Sequence, residues 1–268
     1  MAGTFYPGKP KQLSAAVVNY LEQAGTTESL AAGEPAIDTG SSIKAIIVPH
    51  AGYRFSAPVA ASAYARLLPQ RERIRRVVMI GPAHRVRLTG VAVSGADAFR
   101  TPLGDVPIDR RFVESLLELP LVRELDRAHQ GEHCLEVQLP FLQQVLDDFS
   151  IVPMVAGNIA PAAMVEILER VWGGPETLLL VSSDLSHYHD YATASELDQA
   201  AAAAIEALDP AALGERQACG RIPIRALLEL ARRHRLMPHT LDLRNSGDTG
   251  GPRDRVVGYG AWVFCEQN

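Results

Sequence analysis

The sequence predicts a single-domain α/β sandwich built on a mostly parallel central sheet. Two observations carry that prediction. Continuous apolar runs of strand length recur along the chain, and each suits a strand buried on both faces, as in a parallel sheet covered by helices. Between these runs lie longer amphipathic stretches of helical period, so the chain reads as successive strand–helix–strand crossovers. A chain of 268 residues buries a substantial core as one large domain. No break in composition marks a second domain within residues 1–268, and no period of 20 to 50 residues suggests repeats.

The first helix is expected over residues 11–23, where Leu13, Val17, Tyr20 and Leu21 form one stripe. Residues 25–42, rich in Gly, Ser, Thr and Ala, read as an irregular loop within the domain. Residues 45–48 form the first strand. The helix after it is expected over residues 56–68, with Ser56 as its cap and Pro58 in its first turn. Strands follow at residues 77–80 and, more weakly, 91–93. Helices are expected over residues 109–119 and 135–149, where Pro140 predicts a kink or a late start. Next come a strand at 151–155 and a helix at 161–172, opened by Pro161 where a missing N–H costs nothing. A strand at 178–181 precedes helices at 193–208 and 222–234. Residues 256–264 read as a late strand with an antiparallel option, after a plain loop at the glycine-rich residues 245–251.

Composition narrows the function classes. Hydrophobic residues make up 47% and charged residues 21% of the chain, which disfavours disordered and coiled-coil readings. A formal net charge of −5 argues against a general nucleic-acid binder, which needs a positive footprint. The basic cluster at residues 71–76 is interrupted by Glu72 and Ile74 and reads as a solvated loop. Three cysteines, Cys134, Cys219 and Cys265, are an odd number without close pairs, so neither a disulfide framework nor a zinc finger is implied and a reducing compartment fits. Residues 1–7 show no basic region followed by an apolar run, and no stretch approaches the ~18 to 20 apolar residues of a membrane span. A cytoplasmic location is expected.

The informative polar residues fall at strand ends. The first strand ends in Val48-Pro49-His50-Ala51-Gly52-Tyr53, the second in Ile80-Gly81-Pro82-Ala83-His84, and a later one in Val181-Ser182-Ser183-Asp184-Leu185-Ser186-His187. Ligands of open α/β sheets bind beyond the carboxyl ends of parallel strands. Three strands therefore deliver a histidine to that edge, and one also delivers an aspartate. A single strand-end histidine is readily a helix cap or a solvent-facing loop residue; three placed alike favour a shared metal or catalytic site. Cys219 precedes a helix, where backbone N–H groups lower a thiol pKa; it is either a ligand or nucleophile, or a small buried apolar residue. Cys134 and Cys265 read as core. His133 and Glu136, three apart at the head of a helix, share a face and can line the same pocket. His189, two residues after His187, is either a neighbour of the site or exposed, and His129 and His234 read as surface residues. No dinucleotide fingerprint, phosphate-binding loop or nucleophile elbow is present.

Taken together, Ala2-Gly-Thr-Phe-Tyr-Pro7, Pro49-His-Ala-Gly-Tyr53, Gly81-Pro-Ala-His84, Glu132-His133-x-x-Glu136-x-Gln-Leu-Pro140, Ser182-Ser-Asp-x-Ser-His187, Cys219-Gly-Arg-x-Pro-Ile224 and Ser246-Gly-Asp-Thr resemble the Memo family in order from end to end. That family is similar in fold to the class III extradiol ring-cleavage dioxygenases, which use non-haem iron held by two His and a carboxylate. The resemblance implies that His50, His84 and Cys219 are metal ligands, that the ion is iron or copper, and that Asp184 and His187 are the remaining polar residues of the pocket, with His187 moving protons. It also implies possible pathway partners of the radical-SAM and AMMECR type. A cysteine in place of the third carboxylate favours copper(I), zinc or a strongly donating iron site. The expected function is thus a metal-binding, dioxygenase-like redox protein. The alternative is a non-catalytic adaptor that binds a small molecule or peptide through a vestigial pocket, and a weaker one is a metal-free thiol enzyme using Cys219 with His187.

Overall fold

The computed structural model describes residues 1–27 and 42–267. The apolar runs form the strands at the centre of one large sheet: β1 (Ile43–Val48), β2 (Arg76–Pro82), β7 (Ser150–Ala156) and β8 (Thr177–Ser182). Shorter strands are β3 (Val91–Val93), β4 (Ala98–Thr101), β5 (Gly104–Pro107), β6 (Val122–Glu124) and β9 (His187–His189), and the chain closes with β10 (Leu236–Asn245) and β11 (Val256–Glu266). The order is β10-β11-β1-β8-β2-β7-β3-β6, with β9 added to β11 and β4–β5 forming a separate hairpin. The contacts β1–β8, β8–β2 and β2–β7 are parallel, so the carboxyl ends of these four strands lie along one edge. β11 runs antiparallel to β1, and β3 antiparallel to β7.

The helices are α1 (Pro10–Thr27), α2 (Tyr53–Ala65), α3 (Arg110–Leu116), α4 (Asp126–His129), α5 (Leu139–Val145), α6 (Pro161–Arg170), α7 (Tyr191–Glu206) and α8 (Arg221–Arg233). α1 packs on α2 and α5, while α6 packs on α8. Every residue of β1 and β8 is buried, which is why Ala45 to Val48 and Leu178 to Val181 are apolar without alternation; the buried Lys44 donates to the carbonyls of Gly174 and Thr177 at 2.8 and 2.9 Å.

Several boundaries differ from the sequence expectation. α1 continues to Thr27, so residues 25–27 of the expected loop are helical; residues 28–41 lie outside the described residues. Ser56 does not cap α2. The helix starts at Tyr53 after Gly52, and Ser56 Oγ donates back to the carbonyl of Ala51 at 2.7 Å. The expected helix over residues 135–149 is a single 3-10 turn, Glu136–Gln138, followed by α5 with Pro140 in its first turn, which is the late start Pro140 predicts. α3 is shorter than expected and opens on Asp109, whose side chain accepts from Phe112 N at 3.1 Å. β10 carries no clear strand signal because it contains Pro238, yet it lies at the end of the sheet order, where a missing N–H does not break a ladder. The late strand is antiparallel and runs on to Glu266.

Candidate metal centre

The strand ends are tied to one another before any side chain enters the site. Ser183 N donates to Val48 O at 2.9 Å, and the Asp184 carboxylate accepts from His50 N at 2.7 Å. The end of β8 therefore holds the turn after β1. His50 is 1% exposed, and its Nδ1 lies 2.9 Å from Ser182 Oγ. That hydroxyl donates its one proton to Cys134 O at 2.6 Å and accepts from Gln138 Nε2 at 2.9 Å. His50 Nδ1 must then be a donor, which leaves Nε2 with its lone pair free. Gln138 is itself oriented, with Nε2 donating also to Pro49 O and Oε1 accepting from Tyr64 OH. Burial, and then neighbouring His84, push the His50 pKa down to about 3, so the ring is neutral at pH 7.

His84 follows β2 and meets Glu132, which arrives from the loop after α4. Glu132 accepts from His84 N at 2.7 Å, His84 Nδ1 at 2.8 Å, His133 N at 3.0 Å and Cys134 N at 3.3 Å. A carboxylate only accepts, so His84 carries its proton on Nδ1 and presents Nε2. Burial opposes ionisation of Glu132, but the side-chain and backbone donors of His84 outweigh it and hold the carboxyl down to about 2. A carboxylate behind an imidazole is the arrangement that fixes the tautomer of metal-bound histidines.

His133 completes the group. Its ring stacks on His84 at 4.8 Å and on Phe5 at 4.6 Å, and meets His50 edge-on at 5.3 Å. Its Nδ1 is buried and makes no hydrogen bond, although it lies 3.3 Å from Glu132 Oε1, and burial followed by His50 lowers its pKa to about 4. The ligand atoms of His50, His84 and His133 all lie within 4.8 Å of one another. Three imidazoles gathered so closely can hold a metal ion. His84, Glu132 and Cys134 satisfy the same spacing. In that second set Cys134 is packed beneath Gly81, where a Cβ would meet its sulfur at 2.6 Å, and burial keeps its thiol well above the usual range.

Cys219 sits before α8 with Sγ 3.4 Å from His50 Nε2 and 3.5 Å from Asp184 O. The expected lowering of its pKa is not found. Burial and then the Asp184 charge push the thiol up to about 12, against the smaller lowering by Ser183 and the Asp184 and Gly220 backbone. The sulfur becomes a thiolate only when a cation compensates it. Asp184 is buried, and burial raises its pKa against the His50 N–H bond that favours the charged form. His187 is half-buried, with Nδ1 donating to Leu185 O at 2.8 Å.

Glu136 turns elsewhere: its Oε1 accepts from Tyr6 OH at 2.5 Å and from the Met1 ammonium at 2.8 Å. His189 pairs in register with Val256 and joins none of the metal-sized groups among the described residues. His129, expected at the surface, is half-buried, and its Nε2 has no partner. Sequence reasoning assigns no separate role to three site residues, Glu132, Ser182 and Gln138, which stand within the quoted motifs. Their signal is a polar side chain at a buried position next to a strand end. A fourth, Asp198, is buried on α7 and accepts from Ser186 N at 3.0 Å. It packs where Gly258 lacks a side chain, since a Cβ there would meet Asp198 Oδ2 at 2.0 Å.

Comparison with known proteins gives one consistent result. The profile of the Memo-like protein family matches residues 1–263. A MEMO1 family protein of Metallosphaera sedula is 34% identical over 281 residues, covering 99% of this chain and 98% of its own. One from Ignicoccus hospitalis is 37% identical over 285 residues, covering 98% and 96%. The crystal structure of an uncharacterized Escherichia coli K12 protein, JW3007, superposes with a TM-score of 0.54 at 14% identity, covering 82% of this chain and 99% of that one; this is a likeness of fold alone. No helix among the described residues is long and apolar enough to cross a membrane.

Proposed function

The chain belongs to the Memo family, and from that premise we propose that it is a metal-dependent, dioxygenase-like redox protein whose centre lies at the carboxyl ends of β1, β2 and β8. The observation that carries this reading is the pair of fixed tautomers. Ser182 and Glu132 each take an Nδ1–H, so His50 and His84 both present Nε2. His133 stands beside them with an unpartnered ring nitrogen. The donor set therefore fits a transition metal. Iron or copper bound there would supply a redox couple and a Lewis acid.

The chain's own residues have separable tasks. His50 and His84 hold the ion, and the third donor is either His133, already grouped with them, or Cys219, whose sulfur touches His50 Nε2. Thiolate ligation by Cys219 favours copper(I) or electron-rich iron. His187 takes or returns a proton at Nε2, because its Nδ1–H is committed to Leu185 O. Asp184 is a positioning residue, holding the His50 backbone.

The test is anaerobic loading with Fe(II) or Cu(I), followed by elemental analysis of the wild type and of His50→Ala, His84→Ala, His133→Ala and Cys219→Ala. Each of the first two variants should lose most of the bound metal. Cobalt substitution then identifies the third donor, since a thiolate-to-metal charge-transfer band that is present in the wild type and lost in Cys219→Ala marks Cys219 as the ligand, whereas a band that persists in Cys219→Ala comes from Cys134. Undiminished stoichiometry in both His50→Ala and His84→Ala would sink the assignment.

A further inference from the structure

Glu132 has a second side. It also lines a cavity of about 410 Å³, bounded by the segment after β3, by α4, and by Leu135, Glu136 and Val155. Its floor is apolar, with Ala96, Ala98, Phe99, Leu135 and Val155, and Phe99 meets the His129 ring edge-on at 5.8 Å. Its polar groups are mostly acceptors. Asp126 accepts from neutral donors, Ser94 Oγ at 2.9 Å and Gly95 N at 2.8 Å. Glu132 accepts from backbone N–H groups and from His84 Nδ1. The cations nearby are already engaged: Arg100 with Asp105 at 2.7 and 2.9 Å, Arg110 with Ser94 O at 2.7 Å and Glu124 at 3.2 Å, and the Met1 ammonium with Glu136 at 2.8 Å. His129 Nε2 is buried in the wall without a hydrogen-bond partner. Such an atom is rare, because leaving it unpaired forfeits its hydration without return.

We infer that this cavity binds a small organic cation carrying N–H donors, an ammonium or guanidinium on a short hydrocarbon body. The cationic head would face Asp126 and donate to His129 Nε2, while the body lies against Phe99, Leu135 and Val155. Acceptor-rich walls without a free countercharge favour a cation over an anion of the same shape. The volume falls at the small-ligand end of ordinary binding sites, which run from about 300 to 1,000 Å³. Because Glu132 borders both places, a ligand here sits next to the residue that orients His84. The inference does not depend on the metal reading, since the cavity is complete without an ion.

Phenethylammonium is a suitable probe, compared with 3-phenylpropanoate and 2-phenylethanol, which keep the ring and change the head. Binding to the metal-free full chain is followed by calorimetry and by the ring resonances of His129. The cation should bind and shift the His129 signals, with the anion at least about tenfold weaker. Asp126→Asn keeps an acceptor for Ser94 and Gly95 and should weaken the cation by about tenfold, and Ala98→Trp should fill the cavity and abolish binding. Equal binding of all three probes, no binding of the cation, or wild-type affinity in both variants would each overturn the inference. Metal uptake, measured separately, reports on the metal centre alone.

Discussion

Glu132→Gln isolates the carboxylate behind His84. In the wild type that group accepts four N–H bonds at 2.7 to 3.3 Å. An amide oxygen accepts at most two of them, and its NH2 turns donors toward the others. The His84 Nδ1–H loses its acceptor, and the ring is then free to carry its proton on Nε2, the nitrogen that must ligate. Loss of a partner behind a metal-bound histidine typically costs about 10- to 100-fold in affinity, or about 1.4 to 2.7 kcal/mol. Cobalt titration by calorimetry at pH 7 measures it. Glu136→Gln is the control, because Glu136 bonds Tyr6 and Met1 and no ring of the imidazole group. Folding is checked by near-UV circular dichroism. Folded Glu132→Gln protein that binds cobalt within about threefold of wild type, against the expected range, refutes the role assigned to Glu132. An equal loss in Glu136→Gln does so as well.

The metal-free protein should also be sensitive to mild acid. His50 and His133 titrate at about 3 and about 4 when folded, against ~6.5 when unfolded. A base whose folded pKa is depressed contributes stability above its unfolded value and loses it as pH falls toward the folded one. Each histidine then costs about 2 kcal/mol between pH 6.5 and 5; urea midpoints that stay level across that window argue against buried neutral rings. Gly81→Ala places a Cβ 2.6 Å from Cys134 Sγ and should destabilise by about 1 to 3 kcal/mol. Adding Cys134→Ala should recover part of that loss in a double-mutant cycle, whereas strictly additive effects mean the sulfur is not the obstacle.

Much of the architecture was legible because its causes are local. A strand buried on both faces is apolar wherever no partner satisfies a polar group, as Ala45 to Val48 and Leu178 to Val181 are, and a helix lying on it must carry a stripe. A parallel strand must also end in a turn on the ligand-binding edge, which is why His50, His84 and His187 stood out. β10 escaped notice because Pro238 argues against a strand everywhere except at an edge, and edge position belongs to the whole sheet.

The amino-acid sequence was enough to place the central strands and most of the helices around them, and to show that His50, His84 and His187 follow strand ends, because burial dictates hydrophobic period residue by residue. Tertiary structure alone decided which of them meet. His133 joins His50 and His84 only because the loop after α4 returns over β2, and Glu132 becomes the acceptor for His84 across 48 positions of chain. The protonated nitrogens follow from a hydroxyl and an amide, Ser182 and Gln138, on different elements. Even the Cys219 thiol reverses the expectation from its place before a helix, since burial beside Asp184 outweighs the local backbone donors. Convergence of side chains depends on sheet register and on what else is buried nearby, and neither is encoded within a few residues of the group concerned.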